Sequence, residues 1–128
     1  MSQFTLLFAS ILGGLAVVFG AFGAHALEKI LTTAQLKSFE TGVKYQFYHA
    51  IVLLIIGFNF TLENTSEKYM VYSFMLGILL FSFSIYGLVI SSAKNKKLRF
   101  LGPVTPLGGL LLIIGWGLLF HSILYMES

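Results

Sequence analysis

Four long apolar stretches, separated by short polar segments, dominate the pattern along the chain. The first covers residues 4–24 without a single charge, and the second runs from about residue 45, through Ile51-Val52-Leu53-Leu54-Ile55-Ile56, to 62. The third covers 69–93 and the fourth 103–125, closed by Met126-Glu127-Ser128. Each is near or above the roughly 20 residues a helix needs to cross a ~30 Å hydrocarbon layer. The runs are continuous rather than alternating, which excludes a barrel, and backbone groups in lipid must be paired within their own segment. The pattern predicts an all-α, four-helix transmembrane bundle forming one domain over residues 1–128.

The segment between Glu28 and Lys44 is polar but patterned. Thr32 and Gln35 fit a capping box that opens a helix at Thr33. Leu36, Phe39, Val43 and Phe47 then fall at spacings of three and four, predicting an apolar stripe flanked by Lys37 and Lys44. This reads as a short amphipathic helix at the cytoplasmic interface, continuous with the second span and with Gly42 as a candidate bend. Pro103 and Pro106 suit the first turn of the fourth helix. Asn64-Thr65-Ser66 reads as a plain turn.

Lipid offers helices no hydrophobic reason to associate, so small residues must let backbones approach. Ala9 with Gly13, Ala16 with Gly20 and Ala24, Ser73 with Gly77, Gly87 with Ser91, and Gly108 with Gly115 supply such faces. They are expected to pack within the chain in preference to forming an oligomer seam. Phe74, Phe81, Phe83 and Trp116 are expected to fill gaps or face lipid.

Composition agrees: 57% of residues are hydrophobic and only 10% charged, against about 25% charged in soluble domains. There are no cysteines, so thiol chemistry is excluded. The net charge of +3 gains meaning only from its placement. Seven of the eight cations lie on two connections: Lys29, Lys37 and Lys44 before the second span, and Lys94, Lys96, Lys97 and Arg99 between the third and fourth. Only Lys68, with Glu63, Glu67 and Glu127, lies on the other side. Cations in short loops mark the cytoplasmic face, so both termini are expected outside a bacterial inner membrane. Ala24-His25-Ala26 has the form of a signal-peptidase site, but no cation precedes it and the apolar run is long; a retained helix is expected. Lys44, Lys94, Lys96, Lys97 and Arg99 are candidate contacts for anionic lipid head groups at about 1 kcal/mol per cation. The chain lacks the aromatic platform and folded reading element of a nucleic-acid partner.

Polar side chains within a bilayer must find partners and mark functional sites by default. The candidates collect in the cytoplasmic half: His25 at the end of the first span, Glu40, Tyr45, Gln46 and His49 in the second, Ser84 and Tyr86 in the third, and Thr105 in the fourth. Tyr45 and His49 are one turn apart and are expected to face the bundle and His25, while Glu40 and Lys44 are placed to pair. The functional reading is a polar cavity binding a head group, small ligand or proton; the structural reading is a satisfied network that locks the helices. His25, His49 and Glu40 lack the spacing of a metal site, and no cofactor is expected. A small oligomeric, proton-coupled carrier and an intramembrane enzyme with His and Glu as acid and base are the alternatives to a non-enzymatic binding or scaffolding protein whose protein partner the sequence does not identify.

Gly20-Ala21-Phe22-Gly23-Ala24-His25-Ala26-Leu27, Phe39-Glu40-Thr41-Gly42-Val43-Lys44-Tyr45-Gln46-Phe47-Tyr48-His49-Ala50, Gly77 to Tyr86, and Pro103-Val104-Thr105-Pro106-Leu107-Gly108-Gly109 with Gly115-Trp116 strongly resemble the inner-membrane family known as domain-of-unknown-function 423. The resemblance covers nearly the whole chain, with Phe83-Ser84 where the family usually has Gly-Ser. It implies a four-helix bacterial inner-membrane protein and singles out His25, Glu40, Tyr45, His49, Thr105 and Pro106 as signature residues. It implies no activity, substrate or catalytic group.

Overall fold

In the computed structural model, which describes residues 1–126, the four apolar stretches become four long helices: α1 (Ser2–Leu27), α2 (Thr33–Asn59), α3 (Thr65–Ala93) and α4 (Val104–Leu124). Glu127, expected at the end opposite the cations, lies outside the described residues. The capping box forms as its spacing predicts: Gln35 N–H donates to Thr32 Oγ1 at 3.1 Å, and Thr32 N–H to Gln35 Oε1 at 3.0 Å. The interfacial segment and second span are therefore a single helix. Asn64 does more than turn the chain, because its side chain accepts from Glu67 N–H at 2.8 Å and caps α3. Pro103 occupies the N-cap of α4 and Pro106 its first turn, after a 3-10 turn at Arg99–Leu101; neither site demands a helical N–H.

Helices α1 and α4 lie on the outside, packed antiparallel along α2 and α3 respectively. Helices α2 and α3 form the centre and bury a far larger share of their residues. The main core gathers Leu53, Ile56, Met70, Phe74, Ile78 and Leu112, with Ala9 and Ala50 where α1 meets α2. A smaller cluster of Leu31, Phe39, Tyr86 and Val89 closes the end that carries the basic loops. Phe4, Leu7, Ile11, Ile55, Phe58, Ile113 and Phe120 are more than half exposed, which is the lipid-facing surface such a bundle requires.

The small-residue stripes are spent inside the chain. A Cβ at Gly108 would fall on the backbone of Leu80 and Phe81, one at Gly115 would meet the Phe74 ring at 2.9 Å, and one at Gly77 would meet Leu112 at 2.8 Å. The helix runs unbroken through Gly42, which admits the Tyr86 ring, whose Cε1 would lie 2.8 Å from an added Cβ. Of the expected Leu36/Phe39/Val43/Phe47 stripe, Leu36, Phe39 and Val43 pack into the cluster at the basic end, and Phe47 departs from it. Phe39 is buried but Phe47 is 40% exposed, and Gln46 and His49 face inward instead. Lipid accepts a phenylalanine readily and an amide or imidazole poorly, so the polar residues decide which face turns in.

Two turns of π-helix, Phe19–Gly23 and Leu79–Phe83, interrupt α1 and α3. Such turns re-aim side chains. Here they bring Phe19 against Phe83 and Tyr86, with ring centroids 6.5 and 5.4 Å apart.

Candidate functional site

The polar side chains of the spans form three separate junctions rather than one cavity. Gln46, fully buried on α2, is the first. Its Nε2 donates to the Leu12 carbonyl of α1 at 2.8 Å, and its Oε1 accepts from the Tyr86 hydroxyl of α3 at 2.6 Å. One amide thus ties three helices together. Beside it, Ser82 donates to the Gly42 carbonyl at 2.7 Å. The second junction joins the Ser84 and Thr105 hydroxyls between α3 and α4, with Ser84 also donating to the Phe81 carbonyl at 2.9 Å.

His49 makes the third. Trp116 Nε1, which only donates, lies 3.1 Å from His49 Nε2, and His49 Nδ1 lies 2.8 Å from the Tyr45 carbonyl. The indole requires Nε2 to accept, so the ring proton sits on Nδ1 and is given to the carbonyl. Both nitrogens are occupied in the neutral ring. Tyr45, Phe74 and Trp116 enclose it, with centroids 6.1, 5.8 and 6.0 Å away. Trp116 is therefore a bonding partner and not merely a gap-filler or lipid contact.

His25 does not join this group. Its side chain is 82% exposed, and its Nδ1 lies 3.6 Å from Glu28. Glu40 is exposed and forms no ion pair with Lys44 among the described residues, where His25–Glu28 is the salt bridge present. Tyr45, 41% exposed, covers His49 from outside. The convergence of His25, Glu40, Tyr45 and His49 expected from the sequence is thus not formed. Depth explains it: His25 lies two residues from the end of α1, whereas His49 lies sixteen residues after Thr33, about 24 Å along its helix at 1.5 Å per residue. The second helix begins at Thr33 and not near Tyr45, which sets His49 far deeper than its place in the apolar run implies. The sequence pattern names Gln46 among the candidates without giving it a partner, and it does not point to Trp116 as one. Gln46 carried a usable signal, an uncharged amide with no way to snorkel from mid-span; Ser82 carried little, since a serine can satisfy itself within its own helix.

The cations behave differently. Lys94, Lys96, Lys97 and Arg99 are all exposed, on the loop after α3. Lys97 and Arg99 border a groove of about 480 Å³ shared with Gln35, Ser38 and Ser92. Lys94 and Lys96 border another, of about 400 Å³, floored by Tyr86, Ile90 and Leu98. Tyr86 and Ile90 also wall a separate apolar hollow of about 290 Å³ bordered by Gly23, Ala26 and Leu27. Lys44 stands apart, exposed on α2.

Comparison with known proteins agrees with this architecture. The family described as "Protein of unknown function (DUF423)" matches residues 19–109. A UPF0382 membrane protein of Staphylococcus haemolyticus is 39% identical over 103 residues, covering 80% of each chain. One from Haemophilus influenzae is 38% identical over 104 residues, covering 81% of this chain and 80% of its own. The Escherichia coli K12 protein named UPF0382 inner membrane protein YgdD is 36% identical over 121 residues, covering 92% of this chain and 87% of its own. No solved structure matches. With four membrane-spanning helices and a match over most of its length, the chain belongs to the DUF423 family of membrane proteins of unknown function.

Proposed function

We propose that this is a non-enzymatic protein of the bacterial inner membrane that binds anionic lipid at its basic end, which faces the cytoplasm, leaving both termini on the other side. The observation that carries this reading is a pair of hollows along α3 that share Tyr86 and Ile90 as walls. Lys94 and Lys96 border the first, and Ala26 and Leu27 border the second, which is apolar. A phosphate-bearing head group matches the first and an acyl chain the second. The Lys97/Arg99 groove, with hydroxyls from Ser38 and Ser92, offers a second phosphate contact on the other side of the loop. The buried polar groups support binding over a carrier or enzyme: Gln46, Tyr86, His49, Ser84 and Thr105 already bond one another or the backbone, and a proton relay or acid–base pair needs groups with bonding capacity to spare.

The test is native mass spectrometry of the detergent-extracted protein incubated with phosphatidylglycerol and phosphatidylcholine of matched chains. The wild type is expected to retain the anionic lipid preferentially. Replacing Lys94, Lys96, Lys97 and Arg99 by Gln is expected to remove that preference without lowering the melting temperature. At about 1 kcal/mol per cation near the surface, each is worth roughly a fivefold change in retention. Equal retention of both lipids by the wild type overturns the reading.

A further inference from the structure

The end of the molecule opposite the basic loops has the reverse chemistry. There the start of α3 and the last turns of α4 enclose a pocket of about 280 Å³, bordered by Asn64, Ser66, Glu67, His121, Ser122 and Tyr125 and by no Lys or Arg. Glu67 is half-buried. Its Oε2 accepts from Leu62 N–H at 3.0 Å and from the Thr61 hydroxyl at 3.4 Å, and it has no ion-pair partner among the described residues. Ser66 Oγ and His121 Nδ1 lie 3.3 Å apart across the pocket wall.

Ser122 is the second, independent observation. It is 9% exposed, and its hydroxyl oxygen is the one buried side-chain N or O among the described residues without a hydrogen-bond partner. A buried hydroxyl left unpaired is costly, and such groups are normally satisfied by protein, water or ligand. Ser122 borders the pocket, and its hydroxyl hydrogen turns freely about the C–O bond.

We propose that the pocket binds a primary ammonium group, supplied by the head group of a phosphatidylethanolamine-type lipid in the leaflet at that end. An ammonium brings one positive charge and three N–H donors. Glu67 supplies an uncompensated carboxylate, and the Ser122 and Tyr125 hydroxyls supply further acceptors. The carboxylate repels a phosphate, and a choline group matches the charge but has no N–H to give. A divalent metal lacks ligands, since no three His, Cys, Asp or Glu residues among those described are placed to hold one. Exposed Tyr69 and Tyr125 on the same end suit the membrane–water boundary, where aromatic rings of this kind collect. This site is independent of the one at the basic end and stands or falls separately.

The experiment measures thermal unfolding of the full chain in detergent with added phosphatidylethanolamine, phosphatidylcholine or soluble ethanolamine, the two lipids having identical acyl chains. The wild type is expected to gain several degrees with phosphatidylethanolamine and much less with phosphatidylcholine. Ser122→Ala removes an orphan hydroxyl, so without phosphatidylethanolamine it is expected to melt at or above the wild type, yet to lose at least half of the ethanolamine-lipid increment. Glu67→Gln is expected to lose the increment as well. Equal shifts from the two lipids overturn the proposal, as does a full increment in Ser122→Ala. A shift from soluble ethanolamine that matches the lipid's overturns the lipid assignment.

Discussion

The polar groups inside the bundle and the cations at its end come from one sequence but follow opposite rules. Within the bundle the groups at the three junctions are spent: Gln46 on Leu12 and Tyr86, Ser84 on Thr105, His49 on Trp116 and Tyr45. At the basic end, Lys94, Lys96, Lys97 and Arg99 are exposed and make no salt bridge with a described residue. The difference follows from the solvent. In hydrocarbon an unpaired polar group costs several kcal/mol, so it is paired or excluded. At the surface water satisfies a cation at no structural expense, which leaves it available to a ligand. A polar residue in the membrane is thus a good marker of helix–helix contact here, while free binding capacity lies at the interface.

That contrast breaks first if the interior is not governed by packing. Gly108 meets the α3 backbone at Leu80 and Phe81, where no side chain is free to move aside. Gly108→Val is expected to cost about 3 kcal/mol or more by overpacking and to leave little folded protein, read from the monodisperse fraction after detergent extraction and from its melting temperature. Unchanged melting would mean that α3 and α4 do not approach as closely as the glycine stripe requires.

A smaller effect is expected at the three-helix junction. Gln46→Leu keeps the volume but leaves the Tyr86 hydroxyl without its acceptor. The loss is expected at about 1–2 kcal/mol, and adding Tyr86→Phe is expected to recover part of it, because removing both partners is less costly than stranding one. Unfolding in a denaturing detergent series measures both variants. A neutral Gln46→Leu would deny the amide any role in holding α1 to α2 and α3. The smallest effect is expected from His25→Ala combined with Glu40→Gln, since both side chains face outward. Melting and lipid retention should match the wild type, and a substantial loss of either would restore these two residues to the working site.

Much of the architecture was legible before any coordinates. The capping box at Thr32 and Gln35 appears where its spacing puts it, because both partners lie within one turn and depend on nothing distant. The four spans were legible because hydrocarbon thickness acts on every segment alike. The stripe holds at Leu36, Phe39 and Val43 but fails at Phe47, deeper in the membrane, because an apolar face is no guide to the inside when the outside is also apolar. The candidate site was half legible. Tyr86, Ser84, Thr105 and His49 all find partners, but of these only Ser84 and Thr105 meet each other, and Gln46, set beside the site by the sequence pattern, stands at the centre of one junction.

Composition and order along the chain determined that this is a four-helix membrane protein with its cations gathered at one end, since transfer of side chains between water and lipid is a property of each segment alone. Which polar groups meet was decided only by the tertiary structure. A hydrogen bond between spans depends on relative depth, rotation and π-turns in α1 and α3, and these are set by how glycines and large rings from distant segments fit together.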